Sequence, residues 1–231
     1  MRFARRAAFA AAALLPVAGG QAAPVNWTTT VQVTPSGSHV LGNPAAATRL
    51  TEYISYTCNH CAQFDREASD PLKLYYVMPG KLSVEVRHLV RDPIDLTAAM
   101  LTHCGAPGKF FGNHTAFLRG QAKWIAKANG ASPAQQARWT TGDPAARMRA
   151  IASDFGFYAI MQGRGYDRPA TDRCLGDTAM AKRLAEQTAE ATRLGIQGTP
   201  GFLLNGEVLA GTHDWATLQT QIKARLTPPA P

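Results

Sequence analysis

The stretch of residues 50–61, LTEYISYTCNHC, places a Cys-x-x-Cys pair between a predicted strand and a predicted helix. Residues 50–56 carry apolar side chains on both faces, which is typical of a buried strand. Cys58 then falls at the start of the helix, where free backbone N–H groups and the positive end of the helix dipole stabilise a thiolate. Cys61 follows one turn later, close enough to form a small disulfide with Cys58. The pattern predicts a redox-active dithiol at a strand-to-helix junction.

The two residues between the cysteines are polar, and we expect them to tune the pair. The ring of His60 can donate a hydrogen bond or a positive charge to the Cys58 thiolate, which makes the disulfide more oxidising. Asn59 adds a second polar donor. The sequence has no flavin, nucleotide or metal signature, so we expect no cofactor and a chemistry that depends on cysteine alone.

Other uses of the Cys-x-x-Cys pair stay open at this point. Half of a structural zinc site would need a second pair at similar spacing, whereas Cys104 and Cys174 are isolated. A purely structural bridge predicts an unreactive Cys58 with an ordinary thiol pKa. A Cu(I) site formed by both thiolates, together with His60, is chemically reasonable because soft thiolates favour Cu(I).

The rest of the chain alternates strand and helix signals around a helical middle section. We predict strands over residues 27–33, 50–56 and 82–90, and a hairpin of residues 202–204 and 208–210 around Asn205-Gly206. Pro71 should kink or interrupt the helix that begins at Cys58. The helices predicted further along the chain cover residues 96–103, 110–127, 145–155, 157–163, 178–194 and 214–226.

Residues 1–22 have the layout of a secretory signal peptide, with an arginine-containing start, an apolar run over residues 7–18 and small residues before a cleavage site near Ala22 or Ala23. The apolar run is shorter than the about 20 residues that a membrane-spanning helix needs. We therefore expect export and cleavage. The even number of cysteines, four, fits an oxidising compartment.

The formal net charge is +8, and part of it lies in the predicted signal peptide. No dense block of lysine and arginine occurs, and basic residues are not interleaved with aromatic ones. We interpret the charge as favouring solubility, and we expect no nucleic-acid partner.

Residues 49–226 resemble the DsbA-like branch of the thioredoxin superfamily, in which a helical domain is inserted into a thioredoxin fold. The resemblance depends on Cys58-Asn59-His60-Cys61, on the segment Gly198-Thr199-Pro200-Gly201-Phe202 and on the order of the predicted elements. It implies an α/β, thioredoxin-like fold with an inserted helical domain, and a bacterial periplasmic location. The implied parts are the thioredoxin-like residues 23–92 and 177–227, the helical insertion of residues 93–176 and a tail of residues 228–231.

The resemblance also assigns expected roles to individual residues. Pro200 matches a proline that takes the cis form and faces the cysteine pair, and the backbone of Thr199 could pair with an extended substrate segment. Glu52 matches a buried acid beneath the active site; burial would raise its pKa, and it could take the proton from Cys61. Without the resemblance, Pro200 reads as a turn proline and Glu52 as a solvent-facing strand residue.

Cys104 and Cys174 are expected to form a structural disulfide at the helical insertion, although two free thiols or a second redox relay remain alternatives. Such a bridge would stabilise the fold by about 4 kcal/mol in the chain-entropy model. The remaining histidines have no ligand-like spacing, and we predict that they are ordinary polar side chains: His39, His88, His103, His114 and His213.

The expected function is that of an exported thiol–disulfide oxidoreductase that forms disulfides in client proteins. A client thiolate would attack an exposed Cys58, and a membrane or soluble partner would then reoxidise the pair. The alternatives are a disulfide reductase or isomerase acting on misoxidised clients, and a Cu(I)-handling thiol protein. A V-shaped isomerase needs a dimerisation domain, for which residues 23–49 are too few, so we expect a monomer.

Overall fold

The structure is a computed structural model that describes residues 25–226. The predicted signal peptide (residues 1–22), its cleavage site near Ala22 or Ala23 and the tail of residues 228–231 lie outside the described residues. In the part that is described, no helix is both long enough and apolar enough to span a membrane.

A mixed sheet of six strands forms one layer of the described chain, in the order β1-β2-β4-β3-β5-β6. Strands β3 and β4 pair in parallel, and every other neighbouring pair is antiparallel. Strand β3 lies between β4 and β5, and all but one of its residues are buried, as the apolar pattern on both faces predicts. The strands are β1 Val31–Val33, β2 His39–Leu41, β3 Thr48–Ile54, β4 Leu82–His88, β5 Gly201–Leu204 and β6 Glu207–Val208.

Most of the helices lie between β4 and β5 in the sequence. The α-helices are α1 Asn59–Pro71, α2 Pro93–Thr102, α3 Phe110–Ile125, α4 Pro133–Thr140, α5 Pro144–Asp154, α6 Phe157–Gly163, α7 Arg168–Leu175, α8 Thr178–Arg193 and α9 Trp215–Leu226. Three short 3-10 helices cover Trp27–Thr29, Pro107–Lys109 and Ala126–Gly130. At Pro71, which has no N–H to continue the α-helical pattern, α1 gives way to a π-helix over Leu72–Val77.

Two large buried apolar clusters and a smaller third one lie in the described chain. One large cluster is built from the sheet, α1 and α9, and includes Phe64, Phe202 and Ile222. The other large cluster is built from helices of the middle section and reaches Cys58 and Cys61. The α/β, thioredoxin-like fold with inserted helices is therefore confirmed, whereas the boundaries at residues 92/93 and 176/177 stay predictions.

The prediction of a single strand over residues 27–33 is wrong for the first half of this range, which contains a 3-10 helix. The Asn26 side chain accepts a hydrogen bond from Thr28 N at 3.1 Å and caps a 3-10 helix, so the strand is limited to Val31–Val33. The prediction also missed β2, which has only three residues, and the short helices α4 and α7.

Candidate active site

The junction between β3 and α1 positions the first cysteine. Cys58 has extended backbone angles (φ −88°, ψ 119°) and occupies the N-cap of α1. Its N–H donates to Ser55 O at 3.2 Å, and its carbonyl accepts the first helical hydrogen bond from Ala62 N at 3.3 Å. The Cys58 sulfur consequently sits over the free N–H groups of the first turn of α1.

Both thiols of the pair are free and buried. Cys58 is 4% exposed, so the expectation that it is exposed to clients is wrong. The Cys58 thiol donates to the carbonyl oxygen of Thr199 at 3.1 Å, and the loop that carries Thr199 covers the sulfur. Asn59 and His60, the two residues between the cysteines, are exposed beside it.

Several donors converge on the Cys58 sulfur when it is a thiolate. Hydrogen bonds from the Cys61 thiol, from the Thr199 side chain and from the backbone N–H groups of Cys61 and His60 lower the pKa of Cys58 from 9.0 to about 4, against the opposing effect of burial. The thiolate is therefore the stable form of Cys58 at neutral pH. Its stabilisation comes from fixed donors at a helix N-terminus.

Cys61 has the opposite environment. Burial raises the pKa of Cys61 well above 9.0, and its hydrogen bond to Cys58 and the charges of Cys58 and Glu52 raise it further. The two sulfurs thus differ in protonation at neutral pH. Such a separation is what a pair needs when one sulfur leaves as a thiolate and the other stays protonated until it attacks.

The sheet places the segment that contains Thr199 and Pro200 beside the cysteines, although Thr199 lies 141 residues after Cys58 in the sequence. Strand β5 pairs with β3 so that Gly201 lies opposite Tyr53, and the Thr199–Pro200 bond just before β5 is cis, as the resemblance implies. A Cβ at Gly201 would lie 2.6 Å from Ile196 Cγ2 and 3.0 Å from Gly198 O, so only glycine fits at this point. His213 Nδ1 lies 2.9 Å from Pro200 O on the other side of the loop.

Glu52 is 5% exposed, in agreement with the expected burial. Burial and the charge of Asp65 raise the pKa of Glu52 from 4.5 to about 8. Both acids line a cavity of about 40 Å³ between β3 and α1. Asp65 is a residue that the sequence reasoning missed, although its position four residues after Cys61 on α1 places it on the same buried helix face.

His60 donates to the Cys58 thiolate through its backbone N–H, and its side chain is exposed. The predicted roles of His60 and Asn59 therefore stay predictions, and so do the roles of Glu52, Thr199 and Pro200.

Three further side chains, which the sequence analysis did not single out, bind the turn before Cys58. Asp95 Oδ1 accepts a hydrogen bond from Tyr56 N at 2.7 Å, and Asp92 Oδ2 accepts one from the Thr57 hydroxyl at 2.7 Å. Gln121 Nε2 donates to the carbonyl oxygens of Tyr56 and Cys58, at 2.6 and 2.7 Å. These contacts connect residues far apart in the sequence, so no local pattern could reveal them.

A disulfide joins Cys104 and Cys174, with their Cα atoms 5.6 Å apart. Cys104 follows α2 and Cys174 lies in α7, so the bridge ties together the first and last helices between β4 and α8.

Four of the five histidines that we predicted to be ordinary polar side chains lie together among aromatic rings. The ring of His39 stacks on Phe110 with centroids 4.1 Å apart, and His88 Nε2 lies 2.9 Å from His103 Nε2. His114 Nδ1 lies 2.9 Å from the Tyr56 hydroxyl. These four rings form a cluster between the sheet and the middle helices. Burial lowers the pKa of His39 to about 4 and of His103 to about 3, so the cluster is neutral at pH 7.

No group of three or more His, Cys, Asp or Glu side chains in residues 25–226 is arranged to hold a metal ion. This finding does not test a Cu(I) ion held by the two thiolates of Cys58 and Cys61.

A family model described as thioredoxin matches residues 34–224. The crystal structure of a protein-disulfide isomerase from Novosphingobium aromaticivorans is 53% identical, with a TM-score of 0.80 over 83% of this chain and 98% of that chain. The structure of alpha-DsbA1 from Wolbachia pipientis is 22% identical, with a TM-score of 0.63 over 84% of this chain and 93% of that chain, and supports the fold alone.

A curated protein of Rickettsia conorii, named as a candidate protein-disulfide oxidoreductase, is 29% identical over 189 residues, or 81% of this chain. The match covers 60% of that protein, so the chain spans about three fifths of the length of this relative. Since the family model covers most of the chain and the isomerase is similar over nearly its whole length, the chain belongs to the thioredoxin family.

Proposed function

We propose that the protein is an exported thiol–disulfide oxidoreductase that forms disulfides in client proteins. A client thiolate attacks Cys58 in the oxidised pair, and the Cys58–Cys61 bond breaks with release of the Cys61 sulfur. A second client thiolate then attacks the client sulfur of the mixed disulfide, and Cys58 leaves as a thiolate. The client gains a disulfide, and the enzyme keeps two electrons as a dithiol.

The observation that carries the proposal is the set of donors around the Cys58 sulfur. Because they lower the pKa of Cys58 to about 4, they stabilise the reduced enzyme and make Cys58 a good leaving group. A disulfide whose reduced form is stabilised in this way is a strong oxidant. Stabilisation of the reduced enzyme therefore favours transfer of the disulfide to a client over reduction of a client disulfide.

Glu52 would supply the proton that this exchange needs. With a pKa of about 8, its carboxyl is mostly protonated at pH 7 and can donate to the Cys61 sulfur as that sulfur is released. When the reaction runs in reverse, the carboxylate accepts the proton of Cys61 as that thiol attacks a mixed disulfide. A single buried acid thus serves both directions.

We place client recognition at the loop before β5. The Thr199 carbonyl faces the Cys58 sulfur, and an extended client segment could pair with the backbone at this position as an added strand. Asn59 and His60 are exposed beside it and would contact the same segment. Because the loop covers Cys58, the client must displace the Thr199 contact before it reacts.

Disulfide isomerisation is the second candidate, because the 53% identical relative carries the name protein-disulfide isomerase. An isomerase must rest as a dithiol, which a milder potential than that of an oxidant allows.

The test is the reduction potential of the Cys58–Cys61 pair against glutathione, measured in the mature chain with Cys104 and Cys174 both replaced by alanine so that only one pair titrates. A value near about −120 mV is expected for a strong oxidant. A value near about −180 mV would support isomerisation, and one near about −270 mV a reductase, which would contradict the proposal. Tight Cu(I) retention by the dithiol without disulfide exchange would support the copper-handling alternative.

Export to the periplasm and reoxidation by a membrane or soluble partner complete the proposal. Detection of the mature chain in the periplasmic fraction, with an N-terminus near Ala23, is the expected result for export. Recovery of the chain in the cytoplasm with residues 1–22 attached would contradict it.

A further inference from the structure

We infer that Gln121, on the helical insertion, is a positioning residue for the redox reaction, because it holds the turn that places the Cys58 sulfur over the N-terminus of α1. This inference rests on the proposed function and names a device within the same site. It assigns the inserted helices a part in setting the chemistry of the thiol.

Gln121 is 4% exposed and points from α3 into the turn before α1. Its Nε2 donates one hydrogen to Tyr56 O at 2.6 Å and the other to Cys58 O at 2.7 Å. Two converging carbonyl oxygens require a donor, so only the amide nitrogen of Gln121 can face them. Without Gln121, the Tyr56 carbonyl would carry the free-energy cost of an unmade hydrogen bond, and the Cys58 carbonyl would keep only its helical bond from Ala62 N at 3.3 Å.

Two acidic side chains also form hydrogen bonds with the same turn. Asp95 accepts hydrogen bonds from Tyr56 N at 2.7 Å and from the Ser55 hydroxyl at 2.6 Å. Asp92 accepts one from the Thr57 hydroxyl at 2.7 Å. The N–H of Tyr56 is therefore fixed from α2 while its carbonyl is fixed from α3, and the peptide planes of the turn cannot rotate without breaking a buried contact.

The contact at the Cys58 carbonyl affects the position of the Cys58 sulfur. Rotation about the Cα–C bond of Cys58 changes the direction of its carbonyl relative to its side chain. The Gln121 contact, the shorter of the two hydrogen bonds to this carbonyl, and the helical bond from Ala62 N together hold that rotation at ψ 119°. The same rotation sets where the sulfur lies relative to the N–H groups of His60 and Cys61, which stabilise the thiolate. Loss of the Gln121 contact would let the sulfur drift from these donors.

The first variant is Gln121→Met, which keeps the length of the side chain and removes its donor. The matched control is Gln187→Met. Gln187 is an equally buried glutamine, 1% exposed, that accepts a hydrogen bond from His88 N and donates one to Ser36 O, at 2.9 and 3.0 Å. Gln187→Met removes two backbone contacts of the same kind, but none at the active-site turn.

The measurement is the pH midpoint of Cys58 alkylation in each reduced protein, together with the equilibrium constant against glutathione. In Gln121→Met we expect the midpoint to rise by about one pKa unit and the equilibrium constant to fall about tenfold, or about 30 mV. In Gln187→Met both values should stay those of the parent, even if the two variants lose similar stability. If Gln121→Met does not fold, Gln121→Asn keeps a polar amide and withdraws it from the two carbonyls by one methylene.

Three outcomes would count against one of the two proposals, and they are distinguishable. A parent midpoint near the ordinary thiol value of about 8.5 would contradict the proposed function itself. A low parent midpoint that Gln121→Met leaves unchanged would overturn the positioning role and leave the function intact. Equal shifts in Gln121→Met and Gln187→Met would show general loosening and would also overturn the positioning role.

Discussion

The protein contains two cysteine pairs in contrasting surroundings. Cys58 and Cys61 are three residues apart, at a turn where polar donors meet one sulfur. Cys104 and Cys174 are 70 residues apart and join two helices beside Met100 and His103. The comparison teaches that reactivity follows from what surrounds the sulfur, because the two pairs have the same side-chain chemistry and Cys104 is as buried as Cys58, while Cys174 is half-buried.

The ionisable groups near the two pairs also differ. Beneath the first pair, burial raises the pKa of Glu52 to about 8. Beside the second pair, in the cluster that includes His103, burial lowers the pKa of His39 to about 4. Both groups are neutral near pH 7, but Glu52 becomes charged as the pH rises and His39 becomes charged as the pH falls.

The largest expected effect comes from breaking each pair in turn. Cys58→Ser should reduce client oxidation to the background rate, because no sulfur remains to form the mixed disulfide. The double variant Cys104→Ala, Cys174→Ala should keep client oxidation and lose about 4 kcal/mol of unfolding free energy, since a 70-residue loop is no longer closed. Oxidation of a reduced model client and urea denaturation measure the two effects.

Loss of client oxidation in the folded double variant would show that Cys104 and Cys174 take part in electron transfer. That outcome would favour the alternative of a second redox relay and would remove the contrast between the pairs.

A smaller effect, about 10²-fold, is expected when the acid beneath the first pair is neutralised. We expect Glu52→Gln to slow the attack of Cys61 on a mixed disulfide between Cys58 and glutathione, because the proton of Cys61 loses its acceptor. In the parent the rate should rise through a midpoint near pH 8, where Glu52 ionises, and the variant should lack this midpoint. Stopped-flow release of glutathione between pH 6 and pH 10 measures it.

The matched control is Glu85→Gln, which neutralises another buried glutamate of the sheet, paired with Arg87. It should keep the midpoint near pH 8. Stability gives a second readout with a definite sign. The pKa of Glu52 is about 8 in the folded protein and 4.5 in the unfolded chain, so the folded protein binds the proton more tightly. The contribution of Glu52 to the free energy of unfolding therefore declines as pH rises from about 4.5 to about 8. Glu52→Gln should flatten that decline.

The smallest effect is expected at the second region. His39→Phe keeps a ring stacked on Phe110 and removes a group whose pKa falls from 6.5 to about 4 on folding. As the pH falls, His39 of the unfolded chain binds a proton at a higher pH than His39 of the folded protein. The parent should therefore lose stability as the pH falls from about 6.5 to about 4. At pH 5 the variant should lose about 2 kcal/mol less than the parent, relative to pH 7.

Urea denaturation at pH 7 and pH 5 checks this prediction within each protein. Equal losses in the parent and in His39→Phe would mean that the cluster around His39 does not titrate as its burial requires. The proposed contrast in pH dependence between the two regions would then fail.

The features that local sequence decides were predictable. The Cys-x-x-Cys pair at a strand-to-helix junction and the hairpin around Asn205-Gly206 follow from short-range patterns, and the structure has both. The family resemblance added the fold and the cis bond before Pro200. The pairing of Cys104 with Cys174 was predicted from their positions at the helical insertion, and the structure has it.

The features that depend on tertiary contacts were not predictable. Gln121 and Asp95 look like ordinary helix residues until α2 and α3 pack against the turn before Cys58. The grouping of His39 with His88 likewise requires β2 and β4 to be neighbours in the sheet, which the sequence does not reveal. The burial of Cys58 depends on Thr199, far along the chain.

The position of β3 between β4 and β5 has a consequence for the order of events during synthesis. Strand β4 follows β3 closely and can pair with it early, whereas β5 is made near the end of the described chain. Until β5 arrives, one edge of β3 is open and Cys58 lacks its Thr199 neighbour, 141 residues away. A nascent chain therefore carries the two cysteines without their complete environment, and redox competence comes only with completion of the sheet.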